Sequence, residues 1–155
     1  MKKLDLSKSG IDQWKNLNQE DKLFWKSYFQ VKPADKDSLQ FFDQYTHSYA
    51  YTLKDDDIER VIFCAIIEIL RYNKLHGMHR AFFGNSGGLD SAAICGLLSR
   101  AAKLSRDLGI PFDLVSYGLP ISSNPEHNIR ASQTAETFSI SHTTIDKLDK
   151  VLEAF

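Results

Sequence analysis

Apolar residues recur at two different spacings along the chain, and the change of spacing divides it. Ile58, Val61, Ile62, Ala65, Ile66, Ile69 and Leu70 fall at i, i+3 and i+4, which predicts a helix over about residues 56–73. Phe63, Cys64 and Ile67 widen that stripe, so the helix is expected to be buried on more than one side. Asp55, Asp56 and Asp57 precede it, where carboxylates favour the positive end of the helix dipole; they read as a helix start, not as a metal site. From residue 80 onward short apolar runs replace the stripe. Arg80–Gly84 (RAFFG), Phe112–Leu119 (FDLVSYGL) and Ser141–Asp146 (SHTTID) predict strands. Between them lie a helix over Leu89–Leu108, closed by Gly109 and Pro111, and one from Ser123 or Asn124 to about Phe138, opened by Pro125 and Glu126. Lys147–Phe155 reads as a further helix. Strands and helices alternating over short connections predict right-handed crossovers and a parallel sheet. The fold class is therefore α/β, a three-layer parallel sheet. Three strands leave such a sheet unfinished, so the domain is expected to be incomplete.

Residues 1–57 follow neither rule. They hold ten of the eighteen aromatic residues, both tryptophans and one glycine. Asn18 is a cap candidate for a helix whose first turn carries Glu20 and Asp21 and which continues with Leu23, Phe24, Trp25, Tyr28 and Phe29. Pro33 breaks the chain, and Asp37 or Ser38 can start a second short helix bearing Leu39, Phe41, Phe42 and Tyr45. This pattern predicts an aromatic-rich helical N-terminal extension, residues 1–57, ahead of an α/β domain, residues 58–155. Such a concentration of rings must pack on something, either its own chain or a second subunit.

Composition narrows the function classes. In 155 residues, 19 Lys and Arg face 20 Asp and Glu, a net charge of -1 that lacks the basic excess for binding nucleic acid. The longest apolar run, Val61–Leu70, is interrupted by Glu68 and falls short of the roughly 18 residues that span a bilayer. The first ten residues lack the apolar core of a signal peptide. Cys64 and Cys95 lie in apolar stretches and read as free thiols of a reducing compartment, so a cytoplasmic protein without membrane association is expected.

The chemistry is concentrated between the first predicted strand and its helix, in Gly84-Asn85-Ser86-Gly87-Gly88-Leu89-Asp90-Ser91. A glycine-rich turn into a helix offers backbone N–H groups and the positive helix end to an anion. Gly87 and Gly88 keep side chains out of the way, and Ser86 and Ser91 add hydroxyl donors. Asp90 would repel a phosphate unless a cation lay between them, which makes Asp90 the candidate Mg2+ ligand. Neither a Walker A loop nor a dinucleotide fingerprint is present.

Ser86–Ala92 (SGGLDSA) resembles the pyrophosphate-binding loop (PP-loop) of the N-type ATP pyrophosphatases, whose pattern is Ser-Gly-Gly-x-Asp-Ser. Gly118-Leu119-Pro120, the Ser-rich turn and acidic helix start at 121–126, and the stretch from His142 to Asp146 are similar to NAD synthetases within that family. The likeness covers roughly residues 57–155. It departs from the family at Asn85, which stands where an apolar residue is called for. The resemblance implies an adenine nucleotide alpha hydrolase-like fold and a ligase that uses ATP and Mg2+. The expected reaction is amidation of deamido-NAD with ammonia through an acyl-adenylate. It also implies that residues 84–91 bind ATP and pyrophosphate, that no general base is required of the chain because ammonia is already a good nucleophile, and that the chain forms a homodimer. The open sheet edge and the apolar segments point the same way, with the aromatic extension or the 58–70 helix at or beside the contact. A GMP synthetase-like or tRNA-modifying relative, or a truncated ATP-binding or assembly module without turnover, are the alternatives.

Other polar residues read more simply. His76 and His79 lack the further donors that a metal needs. His127 and His142 fall near the predicted C-terminal edge of the sheet, where either can face a ligand or simply pack. Ser91 lacks the Gly-x-Ser-x-Gly setting of a hydrolase nucleophile.

Overall fold

Each sheet strand ends where its neighbour can be reached only by a helix, and that alternation builds the chemistry-bearing part of the chain. The computed structural model describes residues 4–30, 55–120 and 124–145; the helices expected near 38–45 and 147–155 lie outside the described residues. The chain divides into two compact units, Met1–Glu68 and Ile69–Phe155.

The first unit contains α1 (Gly10–Lys15), α2 (Gln19–Tyr28) and the larger part of α3 (Asp55–Leu75). Asn18 caps α2 as expected, its Oδ1 accepting from the Asp21 N–H at 2.8 Å. The short helix α1 is an addition to the sequence reading. Ser9 caps it, and its Gly10 N–H donates to Glu68 Oε1 at 2.6 Å. Gly10 must be glycine here, since a Cβ would lie 2.8 Å from the Cys64 Cα. Among the described residues the rings pack on their own chain. Trp14, Trp25 and Phe29 are buried, with centroids 5.3, 5.7 and 6.4 Å from that of Phe63. Burial of this ring area stabilises the unit, by area removed from water and by ring contact. Lys26 and Glu59 form an ion pair beside it.

The second unit is built on a parallel sheet in the order β1 (Arg80–Gly84), β2 (Asp113–Gly118), β3 (Ser141–Thr144). The register pairs Phe83 with Ser116 and Ser116 with His142. Helix α4 (Leu89–Asp107) joins β1 to β2, and α5 (Pro125–Thr137) joins β2 to β3. Phe83 and Leu114 share one sheet face, and Cys95 of α4 with Ala135 of α5 pack in the core against them. Both crossovers therefore cover the same face, as right-handed connections to strands added in order require. On the opposite face Phe82 is 74% exposed. The sheet and one helical layer of the expected three are thus among the described residues.

Local signals set the helix ends. Gly109, at φ +68°, closes α4 while Ile110 N–H returns to Ser105 O and Gly109 N–H to Arg106 O, a Schellman ending. Ser139 closes α5 in the same way at φ +54°, an unusual conformation for a residue with a side chain. Asn124 caps α5 and Pro125 opens it. Among the described residues no helix is long and apolar enough to cross a membrane.

Candidate functional site

Strand β1 ends at Gly84, and α4 begins at Leu89, so the Ser-Gly-Gly segment is the turn between them. Its shape is fixed by its own polar atoms. The Asn85 N–H extends the sheet by one bond to Tyr117 O at 2.7 Å. The Asn85 side chain turns inward, donating from Nδ2 to Ala131 O at 2.9 Å and accepting at Oδ1 from the Gly87 N–H at 3.1 Å. The Ser86 N–H donates to Ser91 Oγ at 3.1 Å, and the two hydroxyls share a hydrogen bond of 2.8 Å. Across the turn, the Gly88 N–H points to Ser86 Oγ at 3.4 Å.

Gly87 is required twice over. Its φ of +72° is left-handed, and a Cβ would lie 2.2 Å from His127 O. The turn therefore abuts the first turns of α5 closely enough that no side chain fits between them.

Gly88 is the N-cap of α4 and brings no side chain to cap it. The N–H groups of Leu89, Asp90 and Ser91 belong to the first turn, where a helix offers no carbonyl partner. They point out of the helix beside the Ser86 hydroxyl, at the positive end of a helix of 19 residues. Asp90 is exposed, and among the described residues its carboxylate has no hydrogen-bond or ion-pair partner. An open groove of about 330 Å3 runs from the turn between α4 and α5, lined by Gly87, Gly88, Leu89, Ala92, Arg130 and Thr134 among others. Arg130 adds a cation to that side. A cluster of outward N–H groups, a hydroxyl and a guanidinium suits an anion, and Asp90 suits a cation bound with it.

The histidines stay outside this arrangement. His76 lies against Tyr72 in a tilted contact, with ring centroids 4.3 Å apart, and His79 is exposed. No group of three or more His, Cys, Asp or Glu residues is placed to hold a metal among the described residues. His127 meets the turn through its carbonyl. His142 packs over Gly118, with Nδ1 2.8 Å from Ser116 Oγ and a buried Nε2 that has no partner among the described residues. Burial lowers its pKa below the ordinary 6.5, which favours the neutral ring. Cys64 and Cys95 are free thiols whose pKa burial pushes up, so neither is primed as a nucleophile.

Sequence reasoning missed two features. The side-chain role of Asn85 depends on Ala131, 46 residues away. Arg130, Gln133, Thr134 and Thr137 form a polar stripe at helical spacing, but spacing alone does not say that it faces the turn.

Among solved structures, a crystal structure of the NAD+ synthetase from Burkholderia pseudomallei superposes on this chain with a TM-score of 0.53 at 19% sequence identity, over 80% of this chain. The fold is shared with an NAD+ synthetase. The match covers 44% of that synthetase, so this chain spans less than half of its length. No protein-family model and no curated protein match the chain in sequence.

Proposed function

We propose that this chain is an NAD synthetase-like ATP-using ligase, or the part of one that holds ATP, with residues 84–91 as its polyphosphate site. The observation that carries this reading is the Ser86–Ser91 motif in a strand-to-helix turn, with the first-turn amides of α4 facing outward. In the proposed reaction a carboxylate oxygen of deamido-NAD attacks the α-phosphorus of ATP. The bond from that phosphorus to the bridging oxygen breaks, and pyrophosphate leaves with the electron pair. Ammonia then adds to the acyl carbon, and the bond from that carbon to the AMP oxygen breaks with AMP taking the electron pair. The nitrogen releases one proton to solvent, and the amide remains.

This chain contributes binding and orientation. The amides of Leu89, Asp90 and Ser91 and the Ser86 hydroxyl face the pyrophosphate, where charge builds as it leaves. Ser91 orients Ser86 through the hydroxyl pair already formed. Asp90 fits an Mg2+ site of the kind completed by phosphate oxygens and water, since its carboxylate is exposed and unengaged among the described residues. The ion, when bound, supplies charge neutralisation at those oxygens. A homodimer is the assembly we propose, by likeness to NAD synthetases.

Calorimetric titration with ATP, with and without Mg2+, tests the reading. Mg2+ should raise the affinity of the wild-type chain, and the increase should shrink in Asp90→Asn. An equal increase in both removes Asp90 from the metal role, and no ATP binding at all overturns the reading.

A further inference from the structure

Asn85 is the one turn residue that departs from the family pattern, and it is also the most tightly held. It is 3% exposed. Its amide oxygen takes the Gly87 N–H at 3.1 Å, while its amide nitrogen reaches Ala131 O at 2.9 Å and lies 3.8 Å from the Cys95 sulfur. Its backbone N–H is bonded to Tyr117 O. One side chain thereby joins the turn to α5 and α4, while its backbone joins it to β2. Ala131 lies one helical turn beyond His127, whose carbonyl closes over Gly87, so the turn meets the same stretch of α5 at two points.

An apolar side chain at this position offers no acceptor to Gly87 and no donor to Ala131. The Gly87 N–H would then be free to turn towards an anion, and the turn would lose its tie to α5. With asparagine present, that N–H is already engaged, and the donors left facing outward are those of the first turn of α4.

Resting on the polyphosphate reading of this turn, we infer that Asn85 is a positioning residue. It holds the Gly87 N–H away from the bound anion and clamps the turn on α5, so that the first-turn amides of α4 receive the pyrophosphate. It touches no ligand itself and acts through Gly87 and Ala131.

The test is an NMR titration of the full chain with inorganic pyrophosphate, reading amide shifts and hydrogen exchange in wild type and Asn85→Val. In wild type the amides of Leu89, Asp90 and Ser91 should shift while that of Gly87 stays protected at saturation. In Asn85→Val the Gly87 amide should lose its protection, and pyrophosphate affinity should fall about tenfold, the effect of one well-placed hydrogen bond. Affinity equal to or tighter than wild type overturns the inference. The wild-type titration needs no variant to fold: if pyrophosphate strips protection from Gly87 while shifting residues 89–91, the inference fails and the polyphosphate reading stands. If pyrophosphate moves none of these amides, both fail together.

Discussion

Around Phe63 the rings of Trp14, Trp25 and Phe29 close with centroids 5.3–6.4 Å away; around Asn85 polar atoms of the turn, β2 and α5 close within 2.7–3.1 Å. The first region is held by area removed from water, which has no direction and needs only shape and volume. Its polar flaw is the Trp25 indole N–H, buried without a partner among the described residues. The second region is held by directed bonds that consume its own donors. What they leave over, the outward amides at the start of α4, is what a ligand can use. Stability therefore concentrates where chemistry is absent, and chemistry where the backbone must be told where to point.

Truncating the ring cluster should have the largest effect. Trp25 is 1% exposed, and Trp25→Ala should cost about 3–5 kcal/mol in denaturant unfolding. Trp25→Phe should cost clearly less, because it keeps a ring and removes the unpartnered N–H. Equal losses from the two would mean that ring burial is not what holds the unit. Gly87→Ala comes next. Left-handed strain and the contact with His127 O should together cost about 2–3 kcal/mol and abolish pyrophosphate binding. Retained binding would show that the turn does not depend on its contact with α5.

Ser139 is the control for that backbone argument, since it adopts φ +54° with a side chain, at the end of α5 and outside the turn. Ser139→Gly should raise stability by about 0.5–1 kcal/mol, read as a higher thermal midpoint. No gain would mean that the left-handed penalty at the end of α5 is already offset. The smallest effect should come from His142. Its folded pKa lies below its unfolded value of 6.5, so the unfolded chain takes up the proton first as pH falls. The stability it contributes above pH 6.5 should decline below that pH and be gone beneath the folded pKa. Thermal midpoints across this range should show a shallower decline in His142→Gln.

Most of the second unit was legible because its signals are local. Asn124 with Pro125, Gly109 with Pro111, and the RAFFG run each mark an element boundary within a few residues, and the structure places those boundaries there. The turn itself was legible from two glycines among hydroxyls. Helix α1 was not, because a six-residue helix beginning with glycine has little propensity of its own. What holds it is distant: Glu68, which reads in the sequence only as an interruption of an apolar run, accepts the Gly10 N–H from 58 residues away. The same is true of Asn85, which stands out as a departure in the sequence, although only Ala131 and Gly87 in place explain it.

A crystal structure of the chain with pyrophosphate and Mg2+ tests the polyphosphate site most directly. Phosphate oxygens should lie within hydrogen-bonding distance of the Leu89, Asp90 and Ser91 amides and the Ser86 hydroxyl, with the metal on Asp90. Pyrophosphate bound elsewhere on the chain, or a saturated crystal with this turn empty, would contradict the account.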